Sequence, residues 1–290
     1  MKKFMAIALS AAMIASLAGC ASVVDQAVDE ANAQISSAAE EAGEAIESAQ
    51  SDIESAASDI SEEAESIASD VSEELTDVAV MSYAEYEAAA INDPVCIDAY
   101  VQAKQSWWDN SATVYLQDED GAYFVYGMAC TEEEYETLVP GQEIIVTGFK
   151  AEWEGEIEIS DATFVLGEGN FIAEATDVTD LLGTDELIDH QNQFVSFSDM
   201  TVEASTDADG NEVAFLYNWD GSGAQGDDLY FNVSSNGETY TFTVESYLTD
   251  SSTDVYAAVE GLSIGDTVDL EGFLYWYQGV NPHITSVTVK

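Results

Sequence analysis

The chain has no arginine, and its five lysines stand against 58 aspartates and glutamates in 290 residues. Proteins that grip DNA or RNA use Lys and Arg to release the counterions condensed on phosphates, so nucleic acid is not an expected partner. The same field repels anionic lipid headgroups and favours divalent cations or basic peptides. Histidine occurs only at positions 190 and 283, and neither lies at a metal-ligand spacing from Cys or Glu. No Gly-x-Ser-x-Gly or His-Glu-x-x-His pattern is present, and both histidines are expected in turns or at the surface. Carboxylates at this density carry no positional information for acid–base work, so no catalytic residue is assigned. Aromatic residues are missing from 21–80 and frequent from Tyr83 onward, which places the material for a buried core in the later part of the chain.

No apolar run is long enough for a transmembrane helix. Phe4–Leu17, preceded by Lys2 and Lys3, is the short apolar stretch of an export signal. Leu17-Ala18-Gly19-Cys20 resembles the bacterial lipobox. That resemblance implies a signal peptide over 1–19, cleavage before Cys20 and a diacylglycerol on its thiol. The mature protein is then anchored in the cell membrane on its extracytoplasmic face, with three lysines against 58 acids, a formal charge of −55.

Residues 20–80 comprise the lipidated Cys and an acidic stalk or linker. It is built from Ala, Ser, Glu, Asp and scattered aliphatics, with Gly43 its only glycine and no proline. Val24, Ile35 and Ile46 are eleven apart, and Ile46, Ile53, Ile60 and Ile67 are seven apart, which are helical and coiled-coil periods. A helix of about 55 residues would span roughly 80 Å. The seam is thin, however, and flanked by like charge, so a disordered acidic linker is the alternative. If helical, the stalk can self-associate.

Two downstream stretches share a pattern. Val139–Val165 and Ser263–Val289 place glycines at matching intervals, Gly141, Gly148 and Gly155 against Gly265, Gly272 and Gly279. We read this as an internal duplication. Ahead of each stretch lies a hairpin, turning at Asp120-Gly121 and at Asn236-Gly237, dipeptides whose residues tolerate positive φ. Thr131 and Glu134 have capping-box spacing for a short helix between hairpin and final strand pair. Val95, Ile97, Ala99 and Val101 alternate as the buried face of a first strand.

The order strand, hairpin, helix, strand, strand resembles the OB-fold, a small five-stranded Greek-key barrel. The expected fold is therefore mainly β, with two tandem OB-fold-like barrels at 81–170 and 171–290 following the stalk. An SH3-like barrel is the competing architecture. A Gly- and Asp-rich insertion at about 204–228, itself strand-forming near Val213–Trp219, separates the first strands of the second unit. The chain is also similar to secreted lipoproteins of Gram-positive bacteria, a resemblance that supplies no chemistry.

OB-folds bind ligands on the face of strands two and three, between the loop after strand one and the loop between strands four and five. In the first unit those loops carry Trp107, Trp108 and Trp153, with Lys104 and Lys150 beside them. The resemblance makes these five the candidate ligand residues, suited to stacking a sugar ring or planar molecule. The alternative is that Trp107 and Trp153 plug the barrel ends. Trp276 and Tyr277 occupy the matching loop of the second unit. No cofactor is expected. The aspartates at 118–120 and 207–228 offer oxygen ligands for Ca²⁺, yet Asp207–Glu212 lacks the length and terminal Glu of an EF-hand, and Asp-Gly is first a turn signal. Cys96 and Cys130 could pair in an exported protein, but alternation turns Cys96 outward with Asp98 and Gln102, which favours free thiols.

The leading functional expectation is a lipid-anchored binding protein for a small molecule, glycan or basic peptide. A structural spacer or assembly subunit of the cell envelope comes second. A hydrolytic enzyme ranks last, because two small barrels rarely provide a deep cleft.

Overall fold

The computed structural model describes residues 78–290. The export signal, Cys20 and the stalk as far as residue 77 lie outside the described residues. Val95, Ile97, Ala99 and Val101 are all fully buried, so the period-two pattern does mark the inward face of strand β1 (Pro94–Lys104). Strands β2 (Ser111–Gln117), β3 (Ala122–Ala129), β4 (Gln142–Trp153) and β5 (Glu156–Asn170) complete a closed barrel in the order β1-β2-β3-β5-β4, with β3 and β5 parallel. Val114, Val125, Ile144, Val146 and Ile159 fill its interior.

Two short helices dress the first barrel. Helix α1 (Tyr83–Ala88) precedes β1, and α2 (Glu132–Tyr135) lies between β3 and β4. Both open with a capping box, Ser82 with Glu85 and Thr131 with Glu134, which satisfies orphan N–H donors of each first turn. The far end of α1 is held by Lys150. Its Nζ donates to the carbonyls of Tyr86 and Glu87 at 2.9 Å and of Ala89 at 3.0 Å. Replacing Lys150 with Met leaves these carbonyls without their charged donor. The expected loss is about 2 kcal/mol of stability, read as a lower urea midpoint, and an unchanged midpoint would remove this role from Lys150.

The second barrel repeats the first. Its strands are β7 (Phe194–Glu203), β11 (Leu229–Ser235), β12 (Glu238–Val244), β13 (Thr267–Phe273) and β14 (His283–Val289), with helix α3 (Asp254–Glu260) between β12 and β13. The order β7-β11-β12-β14-β13 closes on itself because β11 pairs with β7 and β13 pairs with β7, and β12 runs parallel to β14. Both barrels thus have the strand order and helix position of an OB-fold. A two-residue strand β6 (Thr176–Asp177) flanks β7, and the insertion between β7 and β11 holds three more, β8 (Ser205–Thr206), β9 (Glu212–Val213) and β10 (Leu216–Tyr217).

The duplicated glycines occupy equivalent places. Gly141 and Gly265 both have φ +91 and donate to Val101 and Val202, the last core residues of the two first strands. Gly148 and Gly272 both sit at β-bulges where the neighbouring strand comes too close for a side chain. The hairpin turns differ. Asn236 and Gly237 take positive φ, as their dipeptide predicts. Asp120-Gly121 does not: the Asp118 carboxylate instead accepts from both N–H groups at 2.7 Å, and Gly121 is needed because the Tyr83 ring lies against it.

Cys96 and Cys130 are free and buried, Cys130 within the first core and Cys96 on the outer side near Thr147. Among the described residues no helix is long and apolar enough to cross a membrane.

Candidate binding cleft at the barrel junction

The two barrels belong to one compact unit, joined through the outer face of β2 and β3. Tyr115 and Phe124 leave the first barrel on this face and pack with Phe273, Phe194 and Tyr275 of the second. Tyr115 stacks on Phe273 with ring centroids 4.3 Å apart, and its hydroxyl meets His283 Nδ1 at 2.6 Å. The polar links are as specific. Gln117 Oε1 accepts from the Phe194 N–H at 2.8 Å, Ser106 N–H donates to the Tyr247 carbonyl at 2.7 Å, and Gln278 N–H donates to the Glu154 carbonyl at 2.7 Å. Glu156, wholly buried, accepts from the Trp276 N–H at 2.8 Å and from Gln191 Nε2 at 3.1 Å. Burial pushes its carboxyl up to about 8, against the pull of those hydrogen bonds.

The sequence-based site therefore dissolves. The strand two and three face of the first barrel, expected to be the open ligand face, is in large part covered by the second barrel. Lys150 is buried on the carbonyls of α1 and faces no groove shared with the tryptophans. Lys104 donates to the Tyr135 carbonyl at 2.6 Å and lies 3.6 Å from the centre of that ring, so it closes α2. Trp107 packs against the first core and donates its indole N–H to the Cys130 carbonyl at 3.1 Å, the plugging role. Trp108 is exposed at the mouth of a tight turn through Asp109 and Asn110, both at positive φ. Lys150 lines a separate cleft with Tyr86, Ile157 and Asn192, and Trp153 lines an aromatic one beside the junction.

That cleft, about 290 Å³, runs between Trp153 and Tyr126 of the first barrel and Tyr230, Tyr275 and Tyr277 of the second. Trp153 is 57% exposed, Tyr126 59% and Tyr277 48%, so three large aromatic faces remain open to one space. A second groove of about 370 Å³ continues past Tyr230, Tyr277 and Asn281 toward Trp219, on the strand two and three face of the second barrel. The walls also carry Asp228 and Glu245. Asp228 Oδ1 accepts from the Ser246 hydroxyl at 2.6 Å and N–H at 2.8 Å. Glu245 is 8% exposed, and burial, then the neighbouring Asp228, raises its carboxyl to about 7.

His283 also borders the cleft, contrary to the expectation of a turn or surface histidine. It opens β14, is buried, and burial lowers its pKa to about 3, which keeps the ring neutral. The Tyr126 contribution was legible: Tyr123 and Val125 point into the barrel, so Phe124 and Tyr126 are the outward aromatic pair of one strand. Glu156, Glu245 and Asp228 had no such signal among so many acids. Asp207, considered for Ca²⁺, spends its carboxylate on the N–H groups of Asp209 and Asn211 and on the Asn211 side chain, closing the β8–β9 turn.

No family model and no curated protein matches the chain. Solved structures are similar to it at low levels. A murine DNA-binding protein bound to double-stranded DNA shares 10% identity at a TM-score of 0.33, over 68% of this chain and 96% of that one. The Ifi202 HINa domain in complex with double-stranded DNA shares 11% at 0.32, over 70% and 97%. A replication protein A heterotrimer bound to single-stranded DNA shares 10% at 0.28, over 70% and 51%. At such scores none of these activities transfers, and the OB architecture rests on the strand order of the two barrels themselves.

Proposed function

We propose that this protein is a lipid-anchored, extracytoplasmic binding protein of a bacterial envelope, and that its ligand is a glycan taken up by the aromatic cleft at the barrel junction. The observation that carries this reading is the convergence of Trp153, Tyr126 and Tyr277 on one space, each about half exposed. Aromatic faces left open beside carboxylate and amide acceptors suit a sugar ring, with its apolar face and rim of hydroxyls. Nucleic acid is disfavoured by the described lysines: Lys150 and Lys104 are spent on carbonyls, and Lys290 pairs with Asp199 and Asp269. Binding rather than catalysis is favoured by a cleft whose one histidine is neutral and already engaged. The lipobox-like Leu17–Cys20 supports the anchored reading, and the acidic composition of 21–80 supports repulsion from anionic headgroups.

Tryptophan fluorescence of the full chain, titrated with soluble cell-wall glycan fragments, tests the reading. A saturable change is expected, reduced about tenfold or more in affinity by Trp153→Ala and unaltered by Trp108→Ala. Equal effects of the two substitutions, or none from Trp153→Ala, would sink it.

A further inference from the structure

The cleft between the barrels holds a pair of carboxylates with no counter-charge among the described residues. Glu245 forms part of its wall. Its Oε1 accepts weakly from the Tyr247 N–H at 3.2 Å, and its Oε2 has no hydrogen-bond partner among the described residues although Glu245 is more than nine-tenths buried. Asp228 stands close enough to raise the Glu245 pKa. Among the described residues no lysine lines the cleft, and His283 is neutral, so no described basic group on this wall answers the two acids. A buried acceptor left without a donor is costly, and a like-charged neighbour adds to the cost. Around the same space, Trp153 and Tyr277 present open ring faces, which attract a cation by their quadrupoles.

We infer that the sugar taken by this cleft carries a free ammonium group, an amino sugar without its acetyl, held by Glu245 and Asp228 against the faces of Trp153 and Tyr277. The inference rests on the glycan reading above and deepens it. An ammonium brings three N–H donors and a positive charge to the place where the protein has an unpaired oxygen and two acids. An acetylated amine brings one neutral N–H and a methyl, which leaves the carboxylates uncompensated. Because Glu245 titrates at about 7, the arriving cation also favours its ionised form, so the pair strengthens as it assembles. The cleft volume, about 290 Å³, suits one sugar unit, and the adjoining groove leaves room for the next.

The test is a tryptophan-fluorescence titration of the full chain near neutral pH and at about 0.15 M salt, which screens diffuse attraction to the acidic surface. The probes are β-1,4-linked diglucosamine, its N,N′-diacetyl form, and 1,4-diaminobutane. Residues 21–80 hold no tryptophan, so binding to that acidic segment is silent in this readout. Diglucosamine is expected to bind about tenfold tighter than the diacetyl form. Glu245→Gln should reduce that preference, read as the ratio of the two affinities, to about threefold or less, and Asp228→Asn should reduce it as well. Diaminobutane should give no saturable change. Equal affinity for the two sugars, a preference that survives both substitutions in folded protein, or saturation by diaminobutane overturns the amino-sugar assignment while glycan binding stands. If neither sugar changes the fluorescence, the glycan reading itself falls.

Discussion

Tyr115→Ala is expected to remove about 3–5 kcal/mol of stability, a drop of about 8–16 °C in the melting temperature of the folded part. Tyr115 is among the largest wholly buried side chains, and every one of its described partners sits at the junction. Truncation leaves a cavity where its ring stacks on Phe273 at 4.3 Å and tilts against Phe124 at 4.9 Å. It also strips His283 Nδ1 of its hydroxyl partner in a site where the ring is already desolvated. Tyr115→Phe separates the two effects, keeping the stack and losing about 1–2 kcal/mol for the hydrogen bond. Calorimetry of the three proteins checks this. An alanine variant melting within a degree or two of the parent would show that the two barrels stand without the contact.

The second large effect is a pH dependence centred on Glu156. In the unfolded chain this carboxyl ionises near its ordinary 4.5, whereas burial in the folded protein holds it neutral to about 8. Between those values the folded state keeps a proton that the unfolded state has lost, so rising pH favours unfolding. The contribution is whole below about pH 4.5, is lost as pH rises to about 8, and is constant above. Glu245, raised to about 7 by burial and by Asp228, slopes the same way over a shorter range. Carboxylates with lowered values, such as Asp177 beside the Thr179 hydroxyl and Asp207 beside Asn211, act in the opposite sense and only in acid. Glu156→Gln keeps an oxygen for the Trp276 and Gln191 donors and cannot ionise. Its melting temperature should match the parent at pH 5 and exceed it by about 5–10 °C at pH 9, equivalent to about 3 kcal/mol. Parallel curves across that range would remove Glu156 from the account.

Much of the architecture was legible because it depends on neighbours in sequence. The alternation of Val95 to Val101, the Thr131 capping box, the Asn236-Gly237 turn and the seven-residue spacing of the paired glycines are local constraints, and the barrels obey each of them. The binding residues were not legible in the same way. Trp107, Lys104 and Lys150 had the residue types and loop positions of a site, but each satisfies a partner contributed by its own barrel. Whether a lysine meets a ligand or caps a helix is decided by where an uncapped helix end happens to lie. Equally, 58 acids give no reason to single out Glu156 or Glu245 until burial has chosen them.

The sequence alone determined the charge, the scarcity of cations, the change of composition near residue 80 and the doubled five-stranded unit, since these follow from residue counts and short-range periodicity. The tertiary structure alone decided that one barrel would cover the other's expected ligand face, moving the open aromatic surface to the junction and the second barrel. Docking two barrels brings together residues more than a hundred positions apart, as Tyr115 meets His283 and Glu156 meets Trp276. The desolvation that raises Glu156 and silences His283 exists only after that contact has excluded water.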